Sequence, residues 1–337
     1  MDKTSEPIRI VVPVYNADKT IEKCIESIYR AAGNMEHWEL IVVDNGMNDN
    51  LEKLLHKYPV QIIRDHKVAS AAYARNVGAA LFSHGILVFI DSDVIVEARC
   101  LNRLVKPIMD KTEVATIGNY STDVEGLNFA QRYKQLYIHH IYSNNDTLIK
   151  NDFWTAISAI DATVFHQLNG FNCSFLGANG EDQEFGIRLT QNDYSVASIP
   201  NANGKHINPY TIKKLIRNDF KKGVKAMSNC LENQVPLKDN RHAKLRSIYA
   251  VFFAFSFAFS IIISGFNLTI LWGSLLLFAI WFMLRLNLVM VYLESQSPLF
   301  TIKSIALTYL LDLVRFSTVL IGVFKNVFAG RYNYQSQ

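Results

Sequence analysis

The sequence predicts an α/β domain built on a mostly parallel sheet, followed by a C-terminal helical membrane region. Three observations carry that reading. Short β-branched runs alternate with amphipathic stretches through the first two thirds of the 337 residues, as expected of a parallel sheet covered by helices. The chain is 50% hydrophobic and only 19% charged, but the charge is unevenly spread. From Ile248 to Leu284 there is no Asp, Glu, Lys or Arg at all.

Taken in order, Ile8 to Val14, Trp38 to Asp44, Val60 to Arg64 and Ile86 to Asp91 read as strands. Helical stretches at Ala17 to Ala32, Asn50 to Tyr58 and Ala69 to Phe82 separate them. The second half of the domain offers strands at Val114 to Asn119, Trp154 to Ile160 and Tyr194 to Ile199, and a helix at Glu181 to Gln191. Thr211 to Lys225 sets Ile212, Leu215, Ile216, Phe220 and Val224 at helical spacing among Lys213, Lys214, Arg217, Lys221, Lys222 and Lys225. That pattern suits a helix on an anionic membrane surface, or a solvated helix packed on the core. The expected organisation is a catalytic domain over 1–235, including this basic helix at 211–225, then a basic linker over 236–247 and a membrane region over 248–328.

A span needs roughly 20 apolar residues, so the uncharged stretch is read as a helical hairpin over 248–286, turning near Ser264-Gly265-Phe266-Asn267. A third hydrophobic helix over 304–328 carries a polar stripe of Thr308, Asp312, Arg315, Gly322 and Asn326, which points to a helix lying in the interface or lining a groove as much as to a span. Lys238, Arg241, Lys244 and Arg246 precede the hairpin and Arg285 follows it, so the positive-inside rule places both hairpin ends and the catalytic domain on the cytoplasmic side of the membrane. The polar stretch Met1 to Arg9 has no character of a secretory leader. Cys24, Cys100, Cys173 and Cys230 are scattered, with no zinc or disulfide spacing, and a net charge of +4 gives no reason to expect nucleic acid.

In such sheets ligands bind beyond the carboxyl ends of the strands. There the strand Val88-Phe89-Ile90 ends in Asp91-Ser92-Asp93, two carboxylates one residue apart. A divalent cation bridging protein to a diphosphate uses one or two carboxylates of this kind, although such a pair is also a common turn or helix cap. Pro13, Tyr15 and Asn16 close the first strand, Asp44-Asn45-Gly46 closes the second, and Ala74-Arg75-Asn76-Val77-Gly78 lies before the acidic pair. Tyr15 can pack on a base, Asp44 can accept from a base N–H and Arg75 can add positive charge to a nucleotide pocket. Each also has a plainer reading: core aromatic, turn former, surface charge.

The order and spacing of these segments resemble the inverting family 2 glycosyltransferases of the GT-A fold, over roughly residues 8–225. The resemblance rests on the Pro13 to Asn16 opening, Asp44, Ala74 to Gly78, Asp91 with Asp93, and Gly180-Glu181-Asp182 ahead of Phe185, Arg188 and Leu189. It implies a Rossmann-like catalytic domain that binds a nucleotide-diphosphate sugar through Pro13, Tyr15, Asn16, Asp44, Arg75, Asp91, Ser92 and Asp93. It also implies Mg2+ or Mn2+ held at Asp91, Asp93 and His206, and Asp182 as catalytic base. Glu181 and Glu184 are rivals for that base. Trp154, Gly180, Glu181, Asn169, Gly170 and Phe171 fall where the family shapes its sugar and acceptor pocket, and Lys205 is a weaker phosphate candidate. An inverting transfer needs a carboxylate within reach of the acceptor hydroxyl, and positive charge at the departing diphosphate. A carboxylate at a helix N-terminus is kept ionised by the helix dipole, which suits Asp182 as base or as plain cap.

Asn45 and Met47 depart from the family pattern after Asp44, where a second aspartate and a serine or threonine are common. The Gln-x-x-Arg-Trp signature of processive synthases is absent, which implies one sugar per encounter. The expected activity is transfer from a UDP-sugar to a lipid-linked or membrane-proximal glycan acceptor. The alternatives are a polyprenyl-phosphate glycosyltransferase and, in another class, a catalytically degenerate membrane scaffold that binds nucleotide sugars.

Overall fold

Strand β1 (Ile8–Val14) is apolar apart from Arg9 and mostly buried, as suits a central strand of a helix-covered sheet. A computed structural model of the chain describes residues 6–33, 35–46, 50–143, 148–175, 180–232, 245–265 and 267–333. The chain divides into two compact units, Met1–Leu127 with Ile141–Pro209, and Asn128–His140 with Tyr210–Gln337.

In the first unit α1 (Ile21–Ala32), β2 (Trp38–Asp44), α2 (Leu51–Leu55), β3 (Gln61–Arg64), α3 (Ala71–Ala79) and β4 (Ile86–Ile90) follow β1 in strict alternation. Then come β5 (Val94–Val96), α4 (Cys100–Met109), β6 (Ala115–Tyr120), the C-terminal end of α5 (Phe129–Tyr142), β7 (Leu148–Ile149), β8 (Ile157–Asp161), α6 (Ala162–Gln167), α7 (Glu181–Gln191) and β9 (Val196–His206). The strands form one sheet in the order β3-β2-β1-β4-β8-β6-β9-β5, with β7 on β9. The first four run parallel, β8 runs antiparallel between β4 and β6, and β9 lies parallel to β6.

Two consequences bear on function. The parallel register sets Val14 beside Asp44 and Asp44 beside Arg64, so the loops that follow β1, β2 and β4 open on one sheet edge. The antiparallel pairing of β5 with β9 sets Val94 opposite His206, which carries the histidine back to the acidic turn just before β5. The sequence reading ends the last strand at Ile199. The strand continues to His206, and a shift in the β6–β9 register between Ile117 and Asn119 absorbs the irregular residues. Helix α3 sits close on the sheet: a Cβ on Gly78 would collide with Val11 and approach Val43, so α3 is held against β1 and β2 at a distance only glycine allows.

The second unit holds the body of α5, α8 (Ile212–Glu232), α9 (Leu245–Ser264), α10 (Leu268–Ser295) and α11 (Pro298–Asn333). Three helical segments, Leu245–Ser264, Thr269–Ser295 and Pro298–Phe324, are long and apolar enough to cross a membrane. Asn267 caps α10 by accepting from the N–H groups of Thr269 and Ile270, which fixes the hairpin turn between α9 and α10. The basic linker expected at 236–247 lies mostly outside the described residues.

The polar stripe of α11 faces protein at Thr308, Asp312, Arg315 and Gly322, and the side chain of Asn326 lies outside the described residues. Asp312 is fully buried and accepts from Trp281 Nε1 at 2.9 Å, from Arg285 Nε at 2.9 Å and Arg285 Nη2 at 2.6 Å, and from Arg315 Nη1 at 3.1 Å. Arg315 also donates to Asp219 on α8 at 2.9 Å, and the Thr308 hydroxyl meets Tyr133 Oη at 3.1 Å. Gly322 packs against Met227. A buried carboxylate must be matched donor for donor, and this one is.

Candidate active site

The segment Ala74 to Gly78 makes three distinct contacts from one helix. Gly78 sets the height of α3 above the sheet, as described. Asn76 clamps the chain after α6: its amide accepts from Phe171 N at 2.9 Å and donates to Phe171 O at 2.8 Å and to Cys173 Sγ at 3.2 Å. Arg75 is buried, and its guanidinium donates to Asp91 Oδ1 at 2.7 Å through one terminal nitrogen and to Glu181 Oε1 at 3.0 Å through the other. It packs 5.7 Å from the centre of the Phe171 ring. Burial works against the charge of Arg75, but the facing Asp91 and Glu181 carboxylates, with Asp182 adding to them, outweigh it and push the guanidinium pKa up. One cation thereby joins the end of β4 to the first turn of α7.

Helix α7 begins at Glu181 after Gly180, whose φ of 93° lies in the left-handed region that favours glycine. Asp182, in the first turn, is partly exposed and its Oδ1 accepts from Gln183 N at 2.8 Å. The rival carboxylates are engaged elsewhere. Glu181 is buried on Arg75, and Glu184 holds Arg188 at 2.6 and 2.9 Å through both oxygens. Arg188 in turn donates to the carbonyls of Leu168 and Gly170, so the Glu184 and Arg188 pair fixes the turn containing Asn169 and Gly170.

Asp93 lies at the other side of the acidic turn. Its Oδ2 is 3.2 Å from His206 Nε2 and accepts from Asn208 Nδ2 at 3.0 Å. Among the described residues no group of three or more His, Cys, Asp or Glu side chains is placed to hold an ion. Asp93 and His206 stand side by side, an oxygen and a nitrogen donor that could serve a cation shared with a diphosphate. Ser92, between the two carboxylates, is partly exposed. Beneath the turn the Cys24 thiol donates to Asp91 O at 3.5 Å, and burial, with Asp93 and Asp91 adding to it, pushes its pKa up, so it stays a thiol.

An aromatic row extends from the histidine. His206 lies 5.5 Å from Tyr120, which meets Trp154 edge-on at 4.8 Å, and Trp154 stacks on Tyr142 at 4.7 Å. Tyr142 Oη donates to the buried Asp152 at 3.0 Å. Helix α7 leans on this same segment, since a Cβ on Gly186 would overlap the backbone of Asp152. Gly186→Ala is expected to destabilise the protein by about 1–3 kcal/mol through overpacking against backbone that cannot rotate away, read as a lowered thermal midpoint.

At the nucleotide end, Tyr15 is 62% exposed, which removes its reading as a core aromatic. Pro13 is half-buried in the last turn of β1, and Asn16 follows with φ 53°. Asp44 is buried: Oδ1 accepts from Gly46 N at 3.1 Å, and Oδ2 lies 3.8 Å from Arg64. Asn45 donates to the carbonyls of Asp65 and Val68 at 2.7 and 2.8 Å and accepts from Ser70 N at 2.9 Å. A carboxylate could not make the first two bonds, so the departure at Asn45 ties the loop after β2 to the start of α3. Met47 lies outside the described residues. Lys205 donates to Asp123 at 2.8 Å. Sequence reasoning missed Asn208, Tyr120, Tyr142 and Asp152; only the proximity of Asn208 to His206 could have flagged one of them.

Residues 9–168 match the model described as glycosyl transferase family 2. Over that stretch the N-terminal unit is similar to the family 2 glycosyltransferases. A second model, described as the N-terminal domain of galactosyltransferase, matches residues 138–213. Glycosyltransferase GlyA of Streptococcus pneumoniae is 25% identical over 269 residues, 73% of this chain and 37% of that protein. UDP-Glc:alpha-D-GlcNAc-diphosphoundecaprenol beta-1,3-glucosyltransferase WfgD of Escherichia coli is 28% identical over 116 residues, 34% of this chain and 45% of that protein. The matched regions thus span well under two thirds of either relative. A mannosyltransferase from Pyrobaculum calidifontis, solved with GDP-Man and Mn2+, shares the fold at a TM-score of 0.59 and 16% identity, covering 95% of this chain and 88% of that one. The chain has a unit of GT-A-type fold and three long apolar helices.

Proposed function

We propose that the protein is a glycosyltransferase that carries out an inverting, divalent-cation-dependent transfer of one sugar per encounter, from a UDP-sugar to a lipid-linked or membrane-proximal glycan acceptor, with its catalytic unit on the cytoplasmic face. The observation that carries the proposal is the double contact of Arg75, which ties the acidic turn at Asp91 to the helix that presents Asp182. The UDP donor and lipid-linked acceptor are supported by the activity for which the Escherichia coli relative is named and by the three apolar helices of this chain.

In this reading Asp182 accepts the proton of the acceptor hydroxyl as its oxygen attacks the anomeric carbon. The bond from that carbon to the diphosphate oxygen breaks, the configuration inverts, and nucleoside diphosphate leaves. Glu181 and Glu184 are each engaged by an arginine, and Asp182 is partly exposed in the first turn of α7. Tyr15 offers its exposed ring to the base, and Trp154 with Gly180 borders the acceptor side. Asp93 and His206, beside Asp91, would hold a Mg2+ or Mn2+, which would supply positive charge to the departing diphosphate.

A donor screen that detects released nucleoside diphosphate, with a membrane lipid extract as acceptor, tests the assignment; no release from any donor would refute it. Chelation with EDTA is expected to lower turnover by on the order of a hundredfold or more, with recovery on adding Mn2+ or Mg2+. Asp93→Ala should raise the metal concentration needed for half-maximal activity, and full activity in EDTA would remove the metal from the mechanism.

A further inference from the structure

Of the three segments long and apolar enough to cross a membrane, the one in α11 has a neighbour that cannot follow it. Helix α8 lies along α11 through three successive contacts: Asp219 with Arg315, Gly223 against Thr318, and Met227 against Gly322. The contacts advance in the same direction on both chains, about a turn at a time, so the helices run side by side and parallel. If α11 crossed the bilayer, this part of α8 would enter the hydrocarbon with it. The outer surface of α8 exposes Lys213, Lys214, Arg217, Lys221 and Lys222, and Lys221 and Lys222 stand directly before the Gly223 contact. Each such charge costs about 2.5–3.5 kcal/mol at the centre of a membrane.

The exposed faces of the two helices suit a different position. On α11 the exposed residues include Ile302, Leu310, Leu320 and Phe324, while Thr308 and Asp312 are buried in protein. On α8 the cations Lys213, Arg217 and Lys221 recur every four residues as one stripe, with exposed Phe220 and Ile212 as apolar company. The carboxylate of Asp219 is drawn inward to Arg315, so it does not dilute the basic stripe. An apolar face sinks to the level of the acyl chains, and lysines and arginines beside it meet lipid phosphates.

We infer that α8 and α11 lie together in the plane of an anionic bilayer surface, as a two-helix platform docked on phospholipid headgroups, while the α9–α10 hairpin does the crossing. The inference uses the membrane reading of that hairpin and does not depend on the catalytic assignment.

The full chain in sealed inverted membrane vesicles tests it, in a background carrying Cys173→Ser and Cys230→Ser. Single cysteines are introduced as Leu299→Cys and Val323→Cys, near the two ends of the α11 segment, and as Thr269→Cys at the hairpin turn. An impermeant maleimide is expected to label Leu299→Cys and Val323→Cys from the same face and Thr269→Cys from the opposite one. Labelling of the two α11 positions from opposite faces would overturn the inference. Labelling of Thr269→Cys from the Leu299 face would sink the hairpin reading alone, since the α11 comparison still reports the platform. For the lipid partner, a bimane on Phe220→Cys should shift to the blue in nanodiscs containing phosphatidylglycerol relative to phosphatidylcholine alone. Replacing Lys213, Arg217 and Lys221 with Gln should weaken the phosphatidylglycerol dependence by roughly fivefold per cation. An equal spectrum in both lipids would rule out an anionic surface as the partner.

Discussion

Asp182→Asn is expected to lower kcat by about 10²–10⁴-fold while leaving the donor KM and the thermal midpoint close to those of the parent protein. The substitution keeps the shape of the side chain, and an amide oxygen can still accept from Gln183 N as Oδ1 does at 2.8 Å. The first turn of α7 therefore has no reason to move. What disappears is the capacity to take a proton. Neither neighbour can replace it, because Glu181 is buried on Arg75 and Glu184 is held through both oxygens by Arg188. Steady-state rates at saturating donor, with release of nucleoside diphosphate as the signal, check the size of the loss. An acceptor that is already a phosphate anion needs little help from a base. Near-full activity in Asp182→Asn together with loss in Asp91→Ala would therefore discard the proton transfer and favour a polyprenyl-phosphate acceptor.

The strand ends were legible in the sequence because they follow from local rules. Ile8–Val14 and Trp38–Asp44 have the bounds that their apolar runs and closing polar residues predict, and parallel pairing then sets Tyr15, Asp44 and Asp91 along one edge. The contacts of Arg75 were not legible. As a charge on an amphipathic stretch it reads equally as surface or pocket, and only partners 16 and 106 residues away decide that it is buried. The partners of the stripe on α11 were not legible either. Periodicity reports that one face of a helix is polar, but not whether water or another helix covers it, and here Trp281, Arg285 and Asp219 complete the network. The extension of β9 past Pro200 depended on a register shift in its partner, which no window of a single strand contains.

Arg75→Met should be the most destabilising of the site substitutions, by about 3–5 kcal/mol, because it leaves the buried carboxylate of Glu181 without its cation. Arg75→Lys keeps a charge but offers one ammonium where a planar fork reaches two carboxylates, so it should recover only part of the loss. Stability alone would not separate a structural ion pair from a residue that positions the chemistry. The double variant Arg75→Met/Glu181→Leu makes that separation, since it removes the orphaned charge and fills its place with an apolar side chain, a change that is often neutral for stability. Its thermal midpoint should return most of the way toward the parent value while kcat stays low, because Asp91 and the Asp182 turn are no longer fastened to a common group. Recovery of kcat in step with the midpoint would reduce Arg75 to a packing element. A parent-like midpoint in Arg75→Met itself would contradict the buried bridge on which the geometry of the site depends.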